Sequence, residues 1–224
     1  MTEPVGVVSG LPRSGTSLMM RLLEAGGLEA VTDMLRQADE DNPNGYYELE
    51  RVKRVREDRE WFSQAGGKVV KIVSLLLYEL PPDLEYRIVF MKRSLDEICA
   101  SQRVMLERMG EPSGSGEEEM GALYASHLRE VEAWLAHQKN MEVLYVHYDD
   151  LVGSPDRNAE ELNRFFGGRL SVDRMKGIVD ASLHRQRRAH CPAAQHRSPV
   201  QQENGGGDQD REAIEERLRA LGYM

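Results

Sequence analysis

Hydrophobic positions along the chain change period several times, and each change marks an element. Residues 5–8 (VGVV) form a short apolar run, a turn holding Gly10, Pro12 and Gly15 follows, and then Leu18, Met19, Leu22 and Leu23 recur at helical spacing. The run suits a buried strand and the stripe suits a helix packed on a sheet. Residues 68–73 (KVVKIV), 86–91 (YRIVFM) and 141–146 (MEVLYV) predict three further strands, and 28–31 a short extra one. Leu49, Val52, Val55 and Phe62 predict a surface helix over 46–64, and the apolar stretch 75–80 predicts a short helix before Pro81 and Pro82. Ser94 stands three residues before Glu97, the capping-box spacing, so a helix is expected from Leu95, with Ile98, Cys99, Leu106 and Met109 on its buried stripe. Helical patterns return at 117–140, 155–166, 172–179 and 211–221. The polar stretch 33–45 ends in the turn cluster Asn42, Pro43, Asn44 and Gly45 and reads as a functional loop. Residues 111–116 are a connection, 185–197 a basic irregular run, and 201–210 (QQENGGGDQD) a flexible segment with little to bury.

Strands alternating with helices predict an α/β fold, a central, mostly parallel β-sheet flanked by helices, with ligands at the carboxyl ends of the strands. Arg13, Lys71, Arg93 and Tyr148 all fall at such ends. The 224 residues are read as one domain, 1–224. Acidic residues outnumber basic ones, 38 to 29, which argues against nonspecific nucleic-acid binding while allowing a locally positive anion site. Cys99 and Cys191 are too few for a disulfide framework or metal cluster, and the six histidines show no metal-ligand spacing. The start, MTEPVGVVSG, has no basic segment or long apolar run, so no membrane partner and a cytoplasmic location are expected.

The turn at 10–15, between a strand and a helix start, is a phosphate cradle, because helix-start amides lack intrahelical acceptors and the helix dipole favours an anion there. Gly10, Gly15 and Ser17 keep the register of the loop G-x-x-x-x-G-K-[ST], but Thr16 replaces the lysine that bridges the outer phosphates of ATP, and Arg13 lies inside the turn.

Pro12, Arg13, Ser14, Gly15, Thr16 and Ser17 resemble the 5'-phosphosulfate loop, P-[KR]-[SG]-G-T-[ST], of the sulfotransferases that use 3'-phosphoadenosine 5'-phosphosulfate (PAPS). The arginine form is similar to that of the tyrosylprotein branch and many bacterial members. Arg93 and Ser101, eight residues apart at a strand-to-helix step, resemble the family's pair for the nucleotide's 3'-phosphate. That branch adds an arginine where this chain has Met105, with Arg103 nearby. Lys71 matches the lysine of the cytosolic enzymes' K-T-H-L-P segment, whereas Val73 stands at the catalytic histidine. Tyr148 matches the strand-end Y-E-D tyrosine near the adenine, and residues 42–48 (NPNGYYE) resemble a segment of bacterial members. The resemblance covers about 5–188.

It implies a P-loop NTPase-like sulfotransferase fold, PAPS as co-substrate and no metal. The donor would be held by Arg13, Ser14, Gly15, Thr16, Ser17, Arg93, Ser101 and Tyr148, with transfer to a hydroxyl or amine of a small-molecule or peptide acceptor. Arg13 and Lys71 would face charge building on the leaving 5'-phosphate. A base is also needed; Asp33 is nearest the register of the tyrosylprotein glutamate, with Glu48 and His184 as alternatives. Tyr46, Tyr47, Leu76 and Leu77 are candidates to line the acceptor pocket. Two other readings are a small-molecule kinase, which the missing lysine opposes, and a noncatalytic module that binds a 3',5'-bisphosphonucleotide. The sequence sets neither acceptor nor oligomeric state.

Overall fold

The computed structural model describes residues 3–33, 35–36, 39, 42, 45–111, 116–178 and 207–224. Four strands, β1 (Val5–Ser9), β2 (Val69–Lys71), β3 (Tyr86–Lys92) and β4 (Met141–His147), form one parallel sheet in the order β2-β1-β3-β4. Val7 pairs with Val70 on one side and Ile88 on the other, and Phe90 pairs with Tyr145. Alternation along the strands separates two cores. Val7, Val70, Ile88 and Phe90 face one, with side chains of α3 (Leu95–Met109), α4 (Glu117–Leu135) and α8 (Gly207–Ala220). Val8, Val69, Val89 and Met91 face the other, with side chains of α1 (Thr16–Gly26), α5 (Tyr148–Gly153), α6 (Pro155–Phe165) and α7 (Val172–Lys176).

Chain connections leave β1 toward β2 and β3 toward β4, so the strand order reverses between β1 and β3. Ligands of open α/β sheets sit at such a switch point, outside the carboxyl ends. Here the segments leaving those ends carry Arg13 and Arg93.

Several local expectations give way to tertiary contacts. The surface helix over 46–64 is replaced by extended chain, a short α2 (Glu50–Lys53) and a 3₁₀ turn, Glu60–Gln64. Tyr46, Val55 and Phe62 are each at most 1% exposed, and a single straight helix cannot bury them together with the polar Glu48. The stretch after β2 is a 3₁₀ turn, Ser74–Glu79, and 28–31 supplies only a bridge from Ala30 to Val69. α3 starts at Leu95 as expected, yet Ser94 makes no side-chain cap, and the Glu97 carboxylate pairs with Arg93 at 2.8 Å. α8 begins at Gly207 rather than Arg211. The remainder of the segment read as flexible, 201–206, lies outside the described residues, as do Pro43, Asn44, His184 and the basic run 185–197. Among the described residues no helix is long and apolar enough to cross a membrane.

Candidate active site

The turn leaving β1 is built for close approach. Arg13 and Gly15 have positive φ, 75° and 100°, and the Ser14 amide closes the turn on the Leu11 carbonyl at 3.1 Å. Gly15 caps α1 without a side chain, leaving the first-turn amides to an incoming anion. A Cβ on Gly15 would stand 2.5 Å from Tyr148 Cδ2, so only glycine lets that ring lie against the loop. Ser14 is 1% exposed and its Oγ has no hydrogen-bond partner among the described residues. A buried hydroxyl in that condition costs about 1–3 kcal/mol, and a phosphate or sulfonate oxygen is a partner that would relieve it. Thr16 begins the helix and is buried, while Ser17 Oγ donates to the Tyr46 carbonyl at 3.2 Å and accepts from Asn42 Nδ2 at 3.0 Å.

Arg93, just past β3, reaches the same turn. Its Nη1 donates to the Arg13 carbonyl at 3.1 Å, its Nε to Glu97 Oε2 at 2.8 Å, and its guanidinium lies 4.5 Å from the Tyr148 ring centre. Burial raises the Tyr148 phenol, so it stays a neutral platform. Arg13 Nε donates to Ser101 Oγ, two turns into α3, at 2.9 Å. The neighbouring Gln102 Nε2 donates to the Pro12 carbonyl at 3.1 Å and is braced by the Tyr124 hydroxyl and Arg217. The two sequence motifs therefore meet. Neither the packing role of Gly15 under Tyr148 nor Gln102 carries a local sequence signal.

Lys71 ends β2 and is 5% exposed. Its Nζ donates to the Tyr46 carbonyl and lies 3.3 Å from Glu48 Oε1, while Arg36 Nη1 is 3.2 and 3.3 Å from the two Glu48 oxygens. Burial pushes the amine down to about 8, against the opposing pull of Glu48, and Arg36 and Arg13 lower it further. The NPNGYYE segment is what brings these groups together: Gly45 and Tyr47 take positive φ, 86° and 54°, turning the Tyr46 carbonyl and Glu48 carboxylate toward the sheet. A small cleft beside Lys71 is lined by Glu48, Leu49, Val52, Lys53, Val73 and Tyr223. Tyr46, Tyr47, Leu76 and Leu77 are not among the residues lining this cleft. Leu76 and Leu77 are core residues, Tyr46 turns its hydroxyl to Asp39, and Tyr47 bonds Glu24.

Asp33 holds chain rather than facing this cleft. Its Oδ2 accepts the Glu50 amide at 2.6 Å and its Oδ1 the Leu35 amide at 3.0 Å. Arg103 pairs with Glu117 at 2.7 Å on the surface, and Met105 is buried in the core. Among the described residues no group of three His, Cys, Asp or Glu side chains is arranged to hold a metal ion.

The model of the sulfotransferase domain matches residues 5–211. The chain belongs to the sulfotransferase family. Sulfotransferase STF1 from Mycobacterium tuberculosis H37Rv is similar in fold, at 15% identity and a TM-score of 0.51, over 100% of this chain and 78% of that one. Mouse sulfotransferase SULT7A1 complexed with PAP aligns at 16% identity and a TM-score of 0.49, over 85% of this chain and 68% of that one. The sulfotransferase domain from the curacin biosynthetic pathway gives 12% identity and a TM-score of 0.49, over 97% and 98% of the two chains. No curated protein matches. The parallel sheet flanked by helices is the frame of this family, and the activity class is sulfonate transfer.

Proposed function

We propose that this sulfotransferase uses PAPS as donor and passes its sulfonate to a hydroxyl or amine of a small-molecule or peptide acceptor by in-line displacement, working in the cytoplasm. The observation that carries the reading is the meeting of the two motifs. Arg13 Nε reaches Ser101 Oγ at 2.9 Å and Arg93 Nη1 reaches the Arg13 carbonyl at 3.1 Å, so one basin offers cations from both strand ends. The residues fit the donor's chemistry. Loop amides of Ser14, Gly15, Thr16 and Ser17 and the orphan Ser14 hydroxyl suit the 5'-phosphosulfate, Arg93 and Ser101 the 3'-phosphate, and the Tyr148 ring the adenine. Arg13 and Lys71 would stabilise charge on the leaving phosphate oxygen.

The test is calorimetry with adenosine 3',5'-bisphosphate on the wild type, Arg13→Ala and Arg93→Ala. A lost charge-assisted hydrogen bond is worth about 1.5–3 kcal/mol, so each variant should bind about ten- to a hundredfold more weakly. ATP with magnesium should bind poorly. Equal affinity in all three proteins rejects the assignment.

A further inference from the structure

The donor loop contains a β-turn, Leu11 to Ser14, closed by the Ser14 amide on the Leu11 carbonyl at 3.1 Å. Pro12 and Arg13 are its central residues, and Arg13 has φ 75°. That is the type II form, which calls for glycine at the third place; a residue with a side chain is disfavoured there by about five- to thirtyfold. Turning the peptide plane between Pro12 and Arg13 over would give the type I form, with φ about −90° at the third residue, the same closing hydrogen bond and no strain. Some contact outside the turn must hold the plane as it is. The Pro12 carbonyl accepts from Gln102 Nε2 at 3.1 Å.

Gln102 is 0% exposed, and its amide is nearly symmetric in shape, with donors at one end and an acceptor at the other. It could follow a turned peptide by turning itself, Oε1 taking the Arg13 N–H and Nε2 facing the groups that now donate to Oε1. Those groups differ. Tyr124 donates to Oε1 at 2.9 Å, and burial raises its phenol, so it stays a neutral hydroxyl that can accept as well as donate. Arg217 Nε, 3.3 Å from Oε1 and 115 residues away in sequence, can only donate. A turned amide would meet it donor to donor. Building on the donor reading above, we propose that Arg217 is a positioning residue for the donor loop: through the Gln102 amide it forbids the turned peptide and keeps Arg13 in the form that receives the nucleotide.

The place of Arg217 in α8 supports this. Ile214, Leu218 and Leu221 form the helix's buried stripe, and Arg217, 6% exposed, stands within it. A residue serving packing alone would be apolar there. The effect on the donor follows from peptide geometry. In a trans peptide the N–H points opposite to the carbonyl, so holding the Pro12 carbonyl on Gln102 turns the Arg13 N–H to the other side. Turned over, the plane would present an oxygen on that side, which repels an anion that an N–H attracts. The neighbouring Ser101 accepts from Arg13 Nε at 2.9 Å, so α3 holds backbone and side chain of the same two residues, and α8 sets the polarity of one of those contacts.

The test is calorimetry with adenosine 3',5'-bisphosphate on the full chain as wild type, Arg217→Gln, Arg217→Lys, Gln102→Met and the Gln102→Met/Arg217→Gln double variant. Glutamine at 217 donates or accepts and no longer opposes the turn, so binding should weaken by about five- to thirtyfold as the population passes to the unstrained form. Lysine, again a donor only, should stay within about threefold of wild type. Gln102→Met should lose about as much as Arg217→Gln, and the double variant should bind no worse than Gln102→Met, because the arginine acts only through the amide. Wild-type affinity in Arg217→Gln, equal losses in the lysine and glutamine variants, or losses that multiply in the double variant would each overturn the inference; multiplied losses would show that Arg217 acts as a charge on the nucleotide or through the fold at large. Should the variants at 217 not fold, Tyr124→Phe decides: with Arg217 in place it should lose less than about threefold, and a loss as large as that of Gln102→Met would overturn the inference. Wild type that fails to bind the bisphosphate would remove the donor reading, and this inference with it.

Discussion

Gly15→Ala offers a test of the loop's geometry that does not depend on activity. At φ 100° an L-residue is strained, by about 1–2 kcal/mol. The added Cβ would also lie 2.5 and 2.9 Å from Tyr148 Cδ2 and Cε2, in a ring buried under Arg93, so the contact must be relieved by moving the ring or the loop, at about 1–3 kcal/mol. The expected total is about 2–5 kcal/mol, a Tm drop on the order of 5–15 °C in a chain of this size. Gly27→Ala is the control: its φ is 110° but no atom lies within 4 Å of the built Cβ, so only the backbone cost should appear. Denaturant titrations of wild type, Gly15→Ala, Tyr148→Ala and the double variant separate the two costs. Removing the ring should leave Gly15→Ala with the backbone penalty alone, a coupling of about 1–3 kcal/mol. A coupling below about 0.5 kcal/mol would show that Tyr148 does not rest on the loop.

Lys71 and His127 give pH-dependent outcomes. The Lys71 amine is held at about 8 by burial, and an anion bound beside it raises that value, so binding of adenosine 3',5'-bisphosphate near pH 8–9 should take up protons and weaken as pH rises through 8. Calorimetry in buffers of different ionisation enthalpy measures that uptake, and Lys71→Met should abolish it. His127, 2.9 Å from Ser74 Oγ, is lowered by burial to about 4 from 6.5. Above pH 6.5 it is neutral folded or unfolded. As pH falls toward 4 only the unfolded chain gains the proton, so His127 should cost stability at up to about 1.4 kcal/mol per pH unit in that window. Subtracting the His127→Gln stability profile from that of wild type should expose this slope; a flat difference would contradict it.

The sheet was legible because β1 and β2 are buried throughout, β3 nearly so, and the half-exposed edge strand β4 still reads as a short run of Val, Leu and Tyr, and the loop because glycine, arginine and hydroxyl residues sit at fixed steps from a strand end. The 46–64 region was not. Val52, Val55 and Phe62 have near-helical spacing, but the chain there is governed by Glu48 reaching Lys71 across 23 residues and by positive φ at Tyr47, neither of which periodicity encodes. The same reason hides the cleft. Tyr223 and Arg36 are distant in sequence from Lys71, yet α8 folds back so that Arg36 Nη1 donates to the Leu221 carbonyl at 3.2 Å and Tyr223 walls the site. Glu97 misled in a different way, since its capping-box spacing from Ser94 coincides with an i,i+4 approach to Arg93, and the buried ion pair prevails.

The central claim, that one doubly phosphorylated adenosine derivative is held by both strand-end motifs, is tested most directly by a crystal structure of the chain with adenosine 3',5'-bisphosphate. The account predicts the 5'-phosphate on the amides of residues 14–17 and the 3'-phosphate within hydrogen-bond distance of Arg93 and Ser101. A nucleotide bound at any other place, or with only one of its phosphates in contact with these residues, would contradict it.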